Sequence, residues 1–193
     1  MMNSVEAAEI VTHILNPAVI AAFTFLVLLY PRNIASSQFV ASLTFGTFIP
    51  LAMMVLLSKR GLISDFYVSE KNERAIPFAG AILSYLAGGL TLWLLGALPI
   101  ITALMLCYAG NTIVMMGITR RWKISVHASG IAGSTTALIE GLGAWASVFF
   151  ALLIPVAWAR IRLKAHTPTQ ILAGALVTIA ATWVQLRIYL AVL

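Results

Sequence analysis

Arg160 precedes His166 by six positions, and Gln170 follows His166 by four, one helical turn further on. At that spacing a side chain can reach an imidazole and orient it. A second group, Lys123, Ser125 and His127, falls within five residues just ahead of a stretch with Gly130 and Gly133. That stretch reads as a helix start, where backbone N–H groups favour a phosphate. A third group supplies Lys71 and Arg74, followed by Pro77 at the beginning of an apolar run. Cations with two histidines among them suit the binding and cleavage of a phosphate ester.

The elements that must position these residues are membrane helices. Of 193 residues, 61% are hydrophobic and 9% charged, and the mean hydropathy is +0.99, far from that of water-soluble domains. A spanning helix needs about 20 mainly apolar residues, because backbone polar groups in hydrocarbon must pair within the helix. Such runs extend from Val11 to Tyr30, Phe39 to Leu57, Pro77 to Ala97 and Pro99 to Ile118. Two further segments, each about 15 residues, lie between Ala128 and Trp158 and break near Gly141, Gly143 and Ala144; they read as a helical hairpin. A last run starts at Pro168, a residue suited to a first helical turn, and is interrupted only by Gln185 and Arg187. The expected fold is an all-α polytopic transmembrane bundle of six to seven hydrophobic segments, one integral-membrane domain over residues 1–193. The first apolar run, with no basic residue ahead of it, reads as a retained helix rather than a cleavable signal.

Counting crossings sorts the polar connectors. Lys59 to Arg74, Arg120 to His127 and Arg160 to His166 are each separated by a helical hairpin and therefore share one face. That face holds Lys59, Arg60, Lys71, Arg74, Arg120, Arg121, Lys123, Arg160, Arg162 and Lys164, against Arg32 and Arg187 on the other. The positive-inside rule makes the basic face, and the candidate site with it, cytoplasmic. A net charge of +6 without a soluble basic region points to anionic headgroups and membrane lipids as partners, not to nucleic acid.

On these residues the chain resembles the type 2 phosphatidic acid phosphatase superfamily, whose pattern is Lys-x6-Arg-Pro, then Pro-Ser-Gly-His, then Ser-Arg-x5-His-x3-Asp. The resemblance covers roughly Lys71 to Gly174, within a phosphatase-like core of about residues 59–193. Ala159, Arg160, His166 and Gln170 stand where the third motif has Ser, Arg, His and Asp, at the family's spacing. Ile124, Ser125, Val126 and His127 stand for Pro-Ser-Gly-His, and Arg74 is separated from Pro77 where the family has Arg-Pro. The resemblance implies a membrane-embedded phosphatase that needs no metal and no cofactor and acts on a lipid phosphate or isoprenoid diphosphate. It implies that His166 attacks phosphorus to give a phosphohistidine and that His127 protonates the leaving oxygen. It assigns Arg160, Arg74, Lys71 and Lys123 to the phosphate oxygens, with Ser125 assisting. Gln170 departs from the family's carboxylate: it can accept the same hydrogen bond from His166 but brings no charge. The alternative reading is therefore a non-catalytic protein that binds anionic lipid or a phosphorylated ligand.

Other features carry plainer readings. Arg120, Arg121, Arg162 and Lys164 suit topology-setting charges, and Cys107, the only cysteine, suits packing. Glu140, near the opposite face, reads equally as a residue with a buried partner and as a helix end reaching water. Gly80, Ser84 and Gly88 recur every four residues, a small-residue stripe that fits internal packing or a homo-oligomer alike.

Overall fold

Helix boundaries in this chain are set by caps that the sequence spells out. Asn3 opens α1 (Ser4–Ile14): its side chain accepts from the N–H groups of Val5 and Glu6, and Glu6 returns a bond to the Asn3 N–H. Asn16 then caps α2 (Pro17–Leu29), with Pro17 in its first turn. The single first helix expected from Val11 to Tyr30 is thus two helices bent by 45°. Pro17 has no N–H to continue α1, and Asn16 offers the new helix a side-chain acceptor. The computed structural model describes residues 3–30, 36–65, 68 and 70–193; Arg32 lies outside them.

A continuous column follows: α3 (Ser36–Leu43), a π-helical turn (Thr44–Phe48) and α4 (Ile49–Lys59). The wider π turn presents the Phe45 carbonyl sideways, where it accepts from Ser84 Oγ at 2.7 Å. Thr47 Oγ1 donates to the Ala18 carbonyl on α2 at 3.2 Å. After a 3₁₀ turn (Lys71–Glu73), α5 (Ala75–Leu94) lays its small-residue stripe against this column. A Cβ on Gly80 would lie 2.0 Å from Met53 Sδ, and one on Gly88 2.5 Å from Phe45 Cβ. The stripe serves close packing inside the chain.

Gly96, at φ +63°, turns α5 back into α6 (Pro99–Thr119). Next comes α7 (Val126–Leu142), the helix most enclosed by its neighbours, buried from His127 through Ser129 and again from Ile131 to Leu138. Its small and hydroxylated residues suit protein rather than lipid neighbours, which explains why it reads as a short apolar run. Gly143, at φ +98°, leads into a 3₁₀ segment (Ala144–Leu152) continued by α8 (Leu153–Arg162), and α9 (Pro168–Val192) closes the chain.

Among the described residues, five helical stretches are long and apolar enough to cross a membrane: Ser36–Lys59, Ala75–Leu94, Pro99–Thr119, Ala144–Arg162 and Pro168–Val192. The bent α1–α2 pair passes the same test together. The protein is an all-α, multi-pass membrane bundle with α7 at its centre. Helices α7 and α9 run parallel, since the Ser125 N–H donates to the Gln170 carbonyl at one end and Glu140 meets Arg187 at 3.3 Å at the other. That ion pair gives Glu140 a partner. Midway, Gln185 and Thr182 of α9 hold Asn111 of α6, with Nε2 of Gln185 3.0 Å from Asn111 Oδ1 and Asn111 Nδ2 2.8 Å from Thr182 Oγ1.

Near the basic end, α7 and α9 touch through Gly174, where a Cβ would sit 2.6 Å from the Ser125 carbonyl oxygen. Because the obstruction is backbone, it cannot turn aside. Gly174→Ala is expected to cost about 1–3 kcal/mol, read as a lower unfolding midpoint in detergent; an unchanged midpoint would mean that the α7 start is free to move away.

Candidate functional site

The third connector is shaped by the end of α8. Lys164 takes a left-handed conformation at φ +52°, the Lys164 N–H bonds the Ile161 carbonyl, and the Ala165 N–H reaches back to the Arg160 carbonyl. This is a Schellman turn. The His166 N–H also bonds the Arg160 carbonyl, at 3.2 Å, so the six-residue spacing folds His166 back beside Arg160. Thr167 then caps α9: its Oγ1 accepts from the Gln170 N–H at 3.3 Å, and Gln170 Oε1 accepts from the Thr167 N–H at 3.1 Å.

That capping box fixes the chemistry of His166. A backbone N–H can only donate, so the amide atom facing Thr167 must be the carbonyl oxygen, which removes the usual ambiguity of a glutamine flip. The same oxygen lies 3.2 Å from His166 Nδ1. Two acceptors would repel, so Nδ1 carries the proton, and the lone pair of the neutral ring is on Nε2. Gln170 thereby supplies the orientation that its spacing suggests, with no charge.

In the second connector Ser125 is fully buried as the cap of α7, its Oγ accepting from the Ala128 N–H at 3.4 Å. His127, two residues inside the cap, is 6% exposed and faces a cavity. From the first connector, Arg74 donates from Nε to the Val68 carbonyl at 2.9 Å and from Nη1 to the Ile124 carbonyl at 3.0 Å. One guanidinium thus ties the first connector to the second, and the Ser125–Gln170 backbone bond ties the second to the third. Val68, at φ +48°, holds a conformation unfavourable for a β-branched residue, which aims its carbonyl at Arg74.

Four of the expected residues, Arg74, His127, Arg160 and His166, line one cavity of about 160 Å³. Its remaining wall is mostly apolar and includes Pro50, Leu51, Met53, Met54, Phe78 and Ala81. Among the described residues no carboxylate lines it. Gln170 stands behind His166, and Lys123 is half-buried close enough to disfavour the charged form of His166. Ser125 faces the α7 backbone and Lys71 is exposed on its turn; neither is on the cavity wall. Asn16, Pro17 and Tyr85 are among the wall residues that went unanticipated. Asn16 and Pro17 arrive through the α1–α2 break, whose Asn-Pro signal is present in the sequence, whereas Tyr85 gives no sequence signal at all.

Burial, then the Arg160, Arg74 and Lys123 charges, push the His166 imidazole down to about 3. Burial and Arg160 likewise push Arg74 down to about 10, opposed by Asp65 and Glu70 nearby. Burial and Arg74 lower the Lys123 ammonium. The arrangement offers a neutral imidazole, with Nε2 unprotonated, beside two buried cations. Among the described residues no three of His, Cys, Asp and Glu gather as a metal site. Compared with known protein families, characterised proteins and solved structures, the chain matches none.

Because the folded His166 takes up its proton well below the ordinary 6.5, the unfolded chain is protonated first as pH falls. The contribution of this group to stability is therefore complete above about pH 6.5 and is lost as pH falls towards 3. In ¹⁵N spectra of histidine-labelled protein, His166 is expected to remain neutral and protonated on Nδ1 at pH 5, and Gln170→Ala to weaken that tautomer preference. A ring that titrates near 6.5 would contradict the burial and the charges assigned to the site.

Proposed function

We propose that this protein is a membrane-embedded phosphatase acting on a lipid phosphate or isoprenoid diphosphate, as its resemblance to the type 2 phosphatidic acid phosphatase superfamily implies. The observation that carries this reading is the convergence of Arg74, His127, Arg160 and His166, from three separate connectors, on one cavity with an apolar wall. A phosphate entering it meets two guanidiniums, and a hydrocarbon tail meets Leu51, Met53, Met54 and Phe78. The oriented Nε2 of His166 attacks phosphorus as the bond to the lipid oxygen breaks, and His127 gives its proton to that oxygen. Water, deprotonated by His127, then attacks the phosphohistidine, releasing inorganic phosphate and restoring His166. Arg74 and Arg160 hold the phosphoryl oxygens through both steps. By the positive-inside rule, the excess of Lys and Arg at this end supports a cytoplasmic site.

Gln170 favours a second reading. A neutral amide orients His166 but cannot stabilise an imidazolium as a carboxylate would, and a protein that only binds phosphorylated lipid needs no more.

The two readings separate in one assay: phosphate release from a panel of lipid phosphates and prenyl diphosphates by the purified protein in detergent. His166→Ala is expected to abolish release and His127→Ala to lower kcat by about 10²–10⁴-fold. Gln170→Glu, which charges the existing bond at unchanged reach, is expected to raise kcat. Release that survives both histidine variants would sink the mechanism, and binding without release from any substrate would favour the second reading.

A further inference from the structure

The first two helices carry no residue of the three connectors, yet their junction lies against the site. Asn16 and Pro17 line the cavity with His127, and a Cβ on Gly130, one turn along α7, would sit 3.2 Å from Pro17 Cβ. Leu15 and Ile20, on either side of the break, pack with Ile131 of α7 and Val156 of α8. At its other end α1 is tied to α8, where Arg162 Nε donates to Ser4 Oγ at 3.0 Å. His127 and Ile131 are one helical turn apart on one face of α7, as Thr12 and Leu15 are at the end of α1. The matching faces set Thr12, which is fully buried, beside the imidazole.

The 45° break decides what the Thr12 carbonyl can bond. In a continuing helix it would accept from the N–H four residues on, that of Asn16. Here the Asn16 N–H turns to the His13 carbonyl at 3.3 Å, and Pro17 has no N–H to offer. Among the described residues no backbone N–H reaches the Thr12 carbonyl, one of those a helix end leaves open. It accepts instead from the His127 ring. A carbonyl can only accept, so the ring nitrogen on that side keeps its proton. Any proton exchanged with a ligand then belongs to the other nitrogen. The same contact sets the negative end of the α1 dipole against the ring. Its charged and titratable neighbours among the described residues, Arg160 of α8, His166 ahead of α9 and Arg74 ahead of α5, bring no negative charge.

We propose that Thr12 is a positioning residue: its backbone carbonyl, released by the break between α1 and α2, fixes the His127 ring so that the opposite nitrogen gives its proton to the leaving oxygen and later takes one from water. The use of that proton rests on the phosphatase reading; the bond does not. The Asn16–Pro17 break thereby becomes part of the site.

The test replaces the Thr12–His13 amide by an ester in the full-length protein, through the α-hydroxy analogue of His13. Every side chain is kept, while the Thr12 carbonyl becomes a weaker acceptor. A Glu9–Ile10 ester, which removes an equivalent N–H from α1, is the control. The Thr12–His13 ester is expected to lower kcat about 3- to 10-fold at unchanged KM, the worth of one neutral hydrogen bond, and the control ester to leave both unchanged. In ¹⁵N spectra of ring-labelled histidine, His127 is expected to hold one tautomer in the unsubstituted protein and a mixture in the Thr12–His13 ester. An equal loss in both esters, an effect on KM alone, or a His127 ring that already mixes tautomers in the unsubstituted protein would overturn the proposal. A single tautomer that the ester unlocks, in a protein that releases no phosphate from any substrate, upholds the positioning by Thr12 and sinks only hydrolysis.

Discussion

Arg74 and Arg160 are 4% and 3% exposed, on the wall of one cavity that no described carboxylate lines. Guanidiniums so placed lose hydration and repel each other, an arrangement that is tolerable only where carbonyls take up their N–H groups and an anion can enter. Arg74 meets this demand by gripping the backbone of two connectors, at Val68 and Ile124. At Arg160 the helix end seats His166 beside the guanidinium, its backbone carbonyl gathering the N–H groups of Ala165 and His166. The strained Val68 serves Arg74 directly, while the Schellman turn at Lys164 and the close α7–α9 contact through Gly174 fix the connectors around the two charges.

The histidines depend on that frame for opposite reasons. His127 is carried on the buried α7, whose start is held by the Ser125 cap and the Ser125–Gln170 backbone bond. His166 lies between two helices and owes its orientation to a single amide oxygen that also caps α9. Folding and chemistry thus share one atom. Replacing the glutamine disturbs the helix start together with the imidazole, so a substitution that keeps the acceptor is the cleaner probe of charge.

The sequence carried the architecture at this level because hydropathy and caps are local signals. The apolar runs after the first, the break at Gly143 and the Pro168 start appear as read, and so does the gathering of basic connectors at one end. What went unread has two physical origins. The α1–α2 bend was hidden by hydropathy that continues across Asn16 and Pro17, although the cap and the proline both announce it. Tyr85 and the demotion of Ser125 and Lys71 from the cavity wall are set by how helices pack and by which way side chains lean, which no spacing encodes. The stripe of Gly80, Ser84 and Gly88 illustrates the same limit: its closeness to some partner was legible, while its actual partner, the π turn and Met53, was not.

Gln170 assigns the free lone pair of His166 to Nε2, and the account as a whole turns on that nitrogen. The most direct measurement is to quench the protein during turnover of a ³²P-labelled lipid phosphate and locate the label by mass spectrometry under conditions that preserve phosphoramidates. An acid-labile, alkali-stable phosphohistidine on His166, substituted at Nε2, is the expected product. Label on Nδ1, on His127, or on no histidine while phosphate is still released would contradict it.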